Sequence, residues 1–227
     1  MNKMEHIISM KDINKGYQMG EERVPILKNI CFSVDKGEYV AILGPSGSGK
    51  TTLMNIIGCM DEMDSGEYFL NGRAIHDAKE QELTEIRNKE IGFIFQNYQL
   101  IPTYNVLQNI SMPLLMRGMG HKEAEEKCMD MINMLGIAHR ITHKPNELSG
   151  GQKQRGAIAR ALVGKSAILL ADEPTGALDT NSGKEVLRLF RELNDMGNTI
   201  VMITHDLNVA KSAQRIVRIV DGELFPE

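Results

Sequence analysis

The chain has 227 residues, of which 42% are hydrophobic and 25% are charged, a composition typical of soluble globular proteins. This length is sufficient to bury a hydrophobic core without support from disulfides or a structural metal. The formal net charge of -4 argues against a general nucleic-acid-binding protein, because such proteins usually carry a basic excess. We therefore expect one folded unit, with room for an inserted lobe. We expect no nucleic acid as partner.

No apolar stretch approaches the roughly 20 residues that a transmembrane helix needs, and residues 1–6 lack the apolar core of a signal peptide. The cysteines, Cys31, Cys59 and Cys128, have no metal-binding spacing, which predicts small buried residues in a reducing compartment. We therefore expect a cytoplasmic chain. If it works at a membrane, a partner protein has to supply the membrane span.

The first part of the chain is predicted to form short β segments that lead into a glycine-rich loop. The segments cover residues 7–8, 30–34 and 39–43, with turns at Gly16, Gly20 and residues 36–37. The third segment runs directly into residues 44–51, and residues 51–59 have helical spacing. This order of strand, loop and helix is the context that a genuine P-loop requires.

The loop itself has the residues that bind the phosphates of a nucleoside triphosphate. Its glycines let successive main-chain N–H groups point at the phosphates, and the following helix adds its positive N-terminal end. Lys50 supplies a positive charge to the outer phosphates, and Thr51 offers a hydroxyl to Mg²⁺. The predicted nucleotide-binding residues here are Gly44, Pro45, Ser46, Gly47, Ser48, Gly49, Lys50, Thr51 and Thr52.

The middle of the chain is predicted to change from β structure to helix. Turns at 64–67 and 71–72 flank a short strand at 68–70, and a polar helix over 77–90 precedes a strand at 91–95. From Pro102 to about Gly136 the composition is that of a methionine-rich helical insertion. Its methionines fit either a groove for a partner's helix or ordinary core filling. They are Met112, Met116, Met119, Met129, Met131 and Met134.

After Gly151 an alanine-rich helix extends to about Leu162, and strands then alternate with helices. This alternation predicts a parallel sheet built from βαβ units, and therefore an α/β fold. The predicted elements are a strand at 167–172, a helix at 182–196, a strand at 198–204, a helix at 206–213 and a strand at 215–220.

Three predicted strands, at 91–95, 167–172 and 198–204, lead into residues that suit phosphate chemistry. Asp172 ends an apolar strand and can hold Mg²⁺, and Glu173, one residue later, can polarise an attacking water as a general base. His205 follows the strand at 198–204, where a contact with the γ-phosphate is possible. Gln96 follows the strand at 91–95 and can reach both metal and water.

A second glycine-rich element, Leu148-Ser149-Gly150-Gly151-Gln152, stands where a helix begins. Ser149 is a suitable N-cap, and the amides of Gly150 and Gly151 can bind an anion. In isolation such a turn is a common helix cap. Its meaning therefore depends on the motifs around it.

Taken together and in this order, the motifs resemble those of an ABC-type ATPase over nearly the whole chain. The resemblance implies a P-loop NTPase core (residues 1–96 and 152–227), an N-terminal antiparallel β portion and an inserted helical lobe at about 97–151. It also implies a head-to-tail homodimer, in which the P-loop of one copy and residues 148–152 of the other enclose each ATP with Mg²⁺. By the same resemblance Tyr17 stacks on adenine, and Asp179 connects the two sites. Ser149, Gly150, Gly151 and Gln152 then bind nucleotide.

Residues 56–61, 91–96, 100–102 and 171–179 are similar to the macrolide-exporter and lipoprotein-release group of this family. This resemblance implies a peripheral ATPase on the cytoplasmic face of the membrane, acting on a separately encoded integral membrane permease. It also implies that dimer closure moves the permease's outer domain. We hypothesise that Gln96 to Pro102 and adjoining lobe residues form the groove for that partner. Lys153 and Gly156 depart from the family pattern, which commonly has Gln and Val at these positions.

Two other functions within the family stay open at this point. One is a regulatory ATPase that controls an extracytoplasmic process such as cell-wall remodelling. The other is a soluble ATPase of DNA repair or translation, but repair members carry a long coiled coil and translation members carry two cassettes, and this chain has neither. The exported substrate would be a drug, an antimicrobial peptide or a lipoprotein, and by this resemblance the ATPase subunit does not contact it.

Overall fold

The computed structural model describes residues 6–226. The strands in this part of the chain are β1 (His6–Met19), β2 (Glu22–Asp35), β3 (Tyr39–Leu43), β4 (Ser65–Leu70), β5 (Arg73–Ala74), β6 (Ile91–Ile94), β7 (Ile168–Asp172), β8 (Thr199–Thr204), β9 (Arg215–Val220) and β10 (Glu223–Pro226). The helices are α1 (Lys50–Ile57), α2 (Glu80–Glu90), α3 (Val106–Met116), α4 (His121–Met134), α5 (Gly150–Val163), α6 (Thr180–Asp195) and α7 (Leu207–Ala210).

The N-terminal part is an antiparallel sheet with the strand order β2-β1-β4-β5. Its first two strands have 14 residues each, so the short segments expected at 7–8 and 30–34 are parts of one long hairpin. The turn expected at Gly16 is wrong, because Gly16 pairs with Pro25 inside the hairpin at an irregularity in the register. Likewise β4 begins at Ser65, inside the segment that was expected to be a turn.

The second sheet has the strand order β10-β9-β3-β8-β7-β6, and all its pairs are parallel except that of β10 with β9. The prediction of a parallel sheet built from βαβ units is therefore confirmed. Strand β10 was not predicted. It follows a tight turn in which Gly222 has a φ of +82°, and it folds back on β9.

The parallel sheet is buried on both faces, which explains why its strands are continuous apolar runs. Alternate residues of β3 contribute to two cores: Val40 and Ile42 face the N-terminal sheet and α1, whereas Tyr39, Ala41 and Leu43 face the helices on the other side. The same alternation holds along β7 and β8. Of the cysteines, Cys59 and Cys128 are buried as expected, but Cys31 is exposed.

The inserted helical part consists of α3 and α4, which come between β6 and α5 along the chain. Helix α5 contacts both α3 and β6. The approach of β6 to α5 depends on Gly92, because a Cβ atom there would lie 2.6 Å from the main-chain oxygen of Ala161. The α/β fold with an antiparallel β portion and a helical insertion is thus confirmed, while the exact division at residues 96–97 and 151–152 stays a prediction.

None of the helices between residues 6 and 226 is both long and apolar enough to span a bilayer.

Candidate nucleotide site

The register of the parallel sheet brings the ends of its strands to one edge. Ile94 pairs with Ala171, Asp172 pairs with Ile203, and Thr204 pairs with Leu43. The residues that follow these positions therefore lie side by side, since parallel strands end at the same edge. They include Gln96, Glu173, His205 and the first P-loop glycine, whose N–H donates to the carbonyl of Thr204 at 3.3 Å.

The backbone of the P-loop has conformations that residues other than glycine rarely adopt. Gly47 and Gly49 have φ values of +79° and +100°, in the left-handed region that disfavours side chains. At Gly44 a Cβ atom would lie 2.4 Å from the carbonyl oxygen of Ile219. Helix α1 begins directly after Gly49, which has no side chain to cap it. The first N–H groups of α1 are thus available to an anion.

Two polar groups of this loop point to a bound anion. The ammonium of Lys50 is buried and donates to the carbonyl oxygens of Gly44 and Pro45, both at 2.8 Å. Burial lowers the pKa of Lys50, and the charges of Glu173 and Asp172 oppose this shift. Within residues 6–226, the buried hydroxyl oxygen of Ser48 is left without a hydrogen-bond partner. A phosphate oxygen would satisfy such a group.

The residues predicted to hold Mg²⁺ have suitable chemistry. Thr51 is exposed in the first turn of α1, Asp172 is half-buried at the end of β7, and Gln96 packs against Gly176, where a Cβ atom would lie 2.7 Å from its amide nitrogen. Burial raises the pKa of Asp172, the charge of Glu173 raises it further, and Lys50 opposes both. Hydroxyl, amide and carboxylate oxygens are the donors that Mg²⁺ accepts beside nucleotide phosphates. The residues therefore fit this ion.

Glu173 is held in a strained conformation by its neighbours on β8. Its φ is +43°, unusual for a residue other than glycine, and its N–H donates to the carbonyl of Ile203 at 3.0 Å. The carboxylate accepts from the hydroxyl of Thr204 at 3.1 Å, and from the N–H and Nδ1 of His205 at 2.9 and 2.6 Å. The side chain is 15% exposed, so it is oriented yet still accessible.

Residues 148–152 form the capped start of α5. The Ser149 hydroxyl accepts from the N–H of Gln152 at 3.3 Å, and the Gln152 side chain accepts from the N–H of Ser149 at 3.1 Å. Because the serine oxygen acts here as an acceptor, its own O–H stays available to donate to an anion. A Cβ atom at Gly150 would lie 3.0 Å from the hydroxyl of Tyr98.

Asp179 caps the next helix rather than lying free at the surface. Its carboxylate accepts from the N–H groups of Asn181 and Ser182, both at 3.0 Å, at the start of α6. The hydroxyl and the N–H of Ser182 lower the pKa of Asp179. Its side chain is therefore fixed in direction at the start of α6.

Tyr98 was not predicted from the sequence, and it connects the motif at 171–179 with the motif at 148–152. Its hydroxyl donates to the carbonyl of Ala177 at 3.3 Å and contacts the Gly150 region of α5. Tyr98 and Gln99 both have positive φ values, and Arg160 donates to both of their carbonyl oxygens. The ammonium of Lys153 lies 6.0 Å from the Tyr98 ring. Lys153, which departs from the family pattern, therefore has a contact with Tyr98. No local sequence pattern around residue 98 predicts these contacts.

Residues 27–176 match the family model described as ABC transporter. The chain belongs to this family. It is 51% identical to the uncharacterized ABC transporter ATP-binding protein YvrO of Bacillus subtilis, over 96% of this chain and 95% of that protein. It is 42% identical to the macrolide export ATP-binding/permease protein MacB of Vibrio parahaemolyticus, over 97% of this chain but 34% of that protein. The chain thus spans about a third of MacB.

Among solved structures, this ABC protein is similar to the cassette MJ0796 of Methanocaldococcus jannaschii, in a dimeric post-hydrolysis state bound to ADP and phosphate. The TM-score is 0.88 at 42% identity, over 96% of this chain and 98% of the other. The resemblance inferred from the motifs is confirmed, and so is the ABC ATPase fold. This ABC protein is an ATP hydrolase.

Proposed function

We propose that this ABC ATPase is the nucleotide-binding subunit of a membrane complex and drives a separate integral membrane partner. The observation that carries the hydrolytic part is the Glu173 carboxylate, held by Thr204 and His205 beside the P-loop. The names of its relatives, ABC transporter ATP-binding protein and macrolide export ATP-binding/permease protein, support a role in transport. The subunit would then lie on the cytoplasmic face of the membrane.

In this proposal the P-loop holds the phosphates of ATP. Lys50 leaves the carbonyls of Gly44 and Pro45 in favour of the outer phosphates, which compensate its buried charge better than neutral oxygens do. Mg²⁺ would be held by Thr51, Gln96 and Asp172, and when bound it neutralises the charge on the phosphate oxygens. Glu173 then orients the attacking water and accepts its proton.

The hydrogen bond between Glu173 and His205 restricts the protonation of the imidazole. An ionised carboxylate only accepts, so Nδ1 of His205 has to carry a proton while the bond at 2.6 Å exists. A contact of the γ-phosphate with Nε2 needs a second ring proton, since a phosphate oxygen also accepts. His205 would therefore contact the phosphate as an imidazolium, or release Glu173 when it does so.

Two copies of the chain would complete the site. The hydroxyl of Ser149 and the amides of Gly150 and Gly151 present donors at the start of α5, a geometry suited to the γ-phosphate bound by another copy. The dimeric ADP-bound state of MJ0796 supports this arrangement. Asp179 would connect the two nucleotide sites, and Tyr17 would stack on the adenine of the copy that carries it.

The membrane partner would dock in a groove beside Gln99. A cavity of about 430 Å³ lies between β6, α2, α3 and α5, and its walls are mainly apolar. Of the stretch from Gln96 to Pro102, Gln99 lines it, together with Phe95 just before. Met112 and Met116 line it as well, and Met116 is 71% exposed. Met119, Met129 and Met131 instead pack against the core, so the groove role is proposed for Met112 and Met116 alone.

This docking can be tested by affinity purification from membranes in the presence of ATP. We expect an integral membrane protein to co-purify with the wild type and to stimulate ATP hydrolysis. The charged variant Met116→Glu should lose both effects, whereas Met134→Glu, 43% exposed on α4 and outside the groove, should retain them. Thermal melting checks that both variants fold. Co-purification and stimulation by the Met116→Glu variant at wild-type level would contradict the proposed groove.

A further inference from the structure

The hydroxyl of Tyr17 donates to the carboxylate of Asp61, which ends the motif at 56–61 but has no role predicted from the sequence. Asp61 lies just beyond the helix of the P-loop, where the N–H groups of Met60 and Asp61 both donate to the carbonyl of Asn55 on α1. The bond from Tyr17 therefore reaches across from β1 to the continuation of the P-loop helix.

The ammonium of Lys15 forms an ion pair with the carboxylate that accepts from Tyr17. Its ammonium donates to Asp61 at 2.7 Å and to the carbonyl of Glu62 at 2.5 Å, and it lies 5.0 Å from the centre of the Tyr17 ring. The lysine side chain is 10% exposed and the aspartate side chain 26%. Because both side chains are partly buried, this charged hydrogen bond holds its geometry better than a solvent-exposed ion pair does.

The two segments are joined along four consecutive residues of β1. The carbonyl of Asn14 accepts from the N–H of Asp64 at 2.8 Å, and the N–H of Gly16 donates to the Asp64 carboxylate at 2.7 Å. With the bonds of Lys15 and Tyr17 to Asp61, every residue from 14 to 17 is tied to residues 61–64. Residues 14–17 of β1 are therefore bonded side by side to the segment that follows the P-loop helix.

Tyr17 is 39% exposed, although its hydroxyl is bonded to Asp61. An exposed ring attached by its hydroxyl has one free surface and a restricted set of orientations. Stacking is sensitive to both the distance and the angle of the two rings, so a ring held in advance binds a base more tightly than a free one.

We propose that Asp61, fixed by Lys15, is a positioning residue that holds the Tyr17 ring at a set distance from the P-loop. Asp61 thereby sets the spacing between the adenine platform and the phosphate site. The proposal rests on the proposed function of Tyr17 in stacking on adenine. It assigns to Asp61 an effect on the base of the nucleotide and none on its phosphates.

Calorimetric titration with ADP and with inorganic pyrophosphate separates these two effects, because pyrophosphate has no base. We expect Tyr17→Phe and Asp61→Ala each to weaken ADP binding about three- to tenfold, and to leave pyrophosphate binding within about twofold of wild type. The double variant should bind ADP no more weakly than either single one. Asp61→Asn should retain most of the affinity, since its amide oxygen still accepts from Tyr17.

Glu62→Ala is the matched control, because it removes the neighbouring, exposed carboxylate and keeps the carbonyl that Lys15 uses. It should bind both ligands like the wild type. Equal weakening of ADP and pyrophosphate by Asp61→Ala, or additive effects in the double variant, would overturn the proposal. If Asp61→Ala does not fold, unchanged ADP binding by Tyr17→Phe overturns it by itself.

Tyr17→Ala distinguishes this failure from that of the proposed function. If Tyr17→Ala weakens ADP binding but Tyr17→Phe and Asp61→Ala do not, the ring stacks on the base without help from Asp61. If Tyr17→Ala binds ADP like the wild type, the adenine platform itself is wrong, and the positioning role falls with it.

Discussion

Nδ1 of His205 lies 2.6 Å from the carboxylate of Glu173, and the main-chain N–H of His205 donates to the same oxygen at 2.9 Å. The two residues follow neighbouring strands, β7 and β8, so the sheet itself brings them together. The positive φ of Glu173 turns its side chain toward β8. The carboxylate thus has a fixed direction, which a general base needs.

Removal of the imidazole should impair turnover more than binding. In His205→Ala, Glu173 keeps its bonds to Thr204 and to the main chain but loses the ring contact. We expect the hydrolysis rate to fall at least about 100-fold, because the general base loses the contact that orients it, with ATP affinity within about threefold of wild type. His121→Ala, at an exposed position on α4, is the control. Wild-type turnover in the His205 variant would exclude this histidine from the reaction.

The raised pKa of Asp172 predicts a cost in stability at neutral pH. Burial and the charge of Glu173 favour the protonated form in the folded state, so ionisation above the unfolded pKa destabilises the fold. Asp172→Asn should therefore melt at a higher temperature than the wild type at pH 7 without nucleotide. The difference should shrink as the pH falls toward about 4, where the unfolded aspartate is itself protonated. A lower melting temperature at pH 7 would contradict this sign.

Gly156 in α5 has room for a methyl group. A Cβ atom there would lie 3.8 Å from Ile137 and 3.9 Å from Leu100, which are ordinary contact distances. Gly156→Ala should stabilise the protein by about 1 kcal/mol through helix propensity, and raise its melting temperature by about 2–4 °C.

Gly92→Ala is the matched comparison for that substitution. Its Cβ atom would lie 2.6 Å from the carbonyl oxygen of Ala161, so it should destabilise the protein by more than about 1 kcal/mol. Equal melting temperatures for the two variants would show that the space around these glycines does not decide their roles.

The sequence predicted best what depends on short, contiguous patterns. The P-loop, the apolar strand that ends in Asp172 and Glu173, and the capped start of α5 at Ser149 each need only neighbouring residues to be recognised. The order of strands and helices in the parallel sheet followed from the same local patterns, because a fully buried strand is a continuous apolar run.

What the sequence did not predict depends on contacts between distant residues. Gly16 was expected to be a turn, but cross-strand pairing with Pro25 extends the hairpin through it. The motifs around Tyr98 and Asp61 predict no role for these two side chains, because their contacts are with Ala177 and Tyr17, 79 and 44 residues away. Gly156 departs from the family pattern, and the structure gives no packing reason for the absent side chain.

The most direct test of the proposed mechanism is the mass of the Glu173→Gln variant in sedimentation, with and without ATP and Mg²⁺. Its amide keeps the shape of the side chain but cannot accept the proton of the attacking water. We expect ATP to bind, hydrolysis to be abolished, and the protein to change from monomer to a stable dimer that encloses two ATP molecules. A variant that hydrolyses ATP at the wild-type rate, or that binds ATP and stays monomeric, would contradict a catalytic Glu173 in a site completed by a second copy.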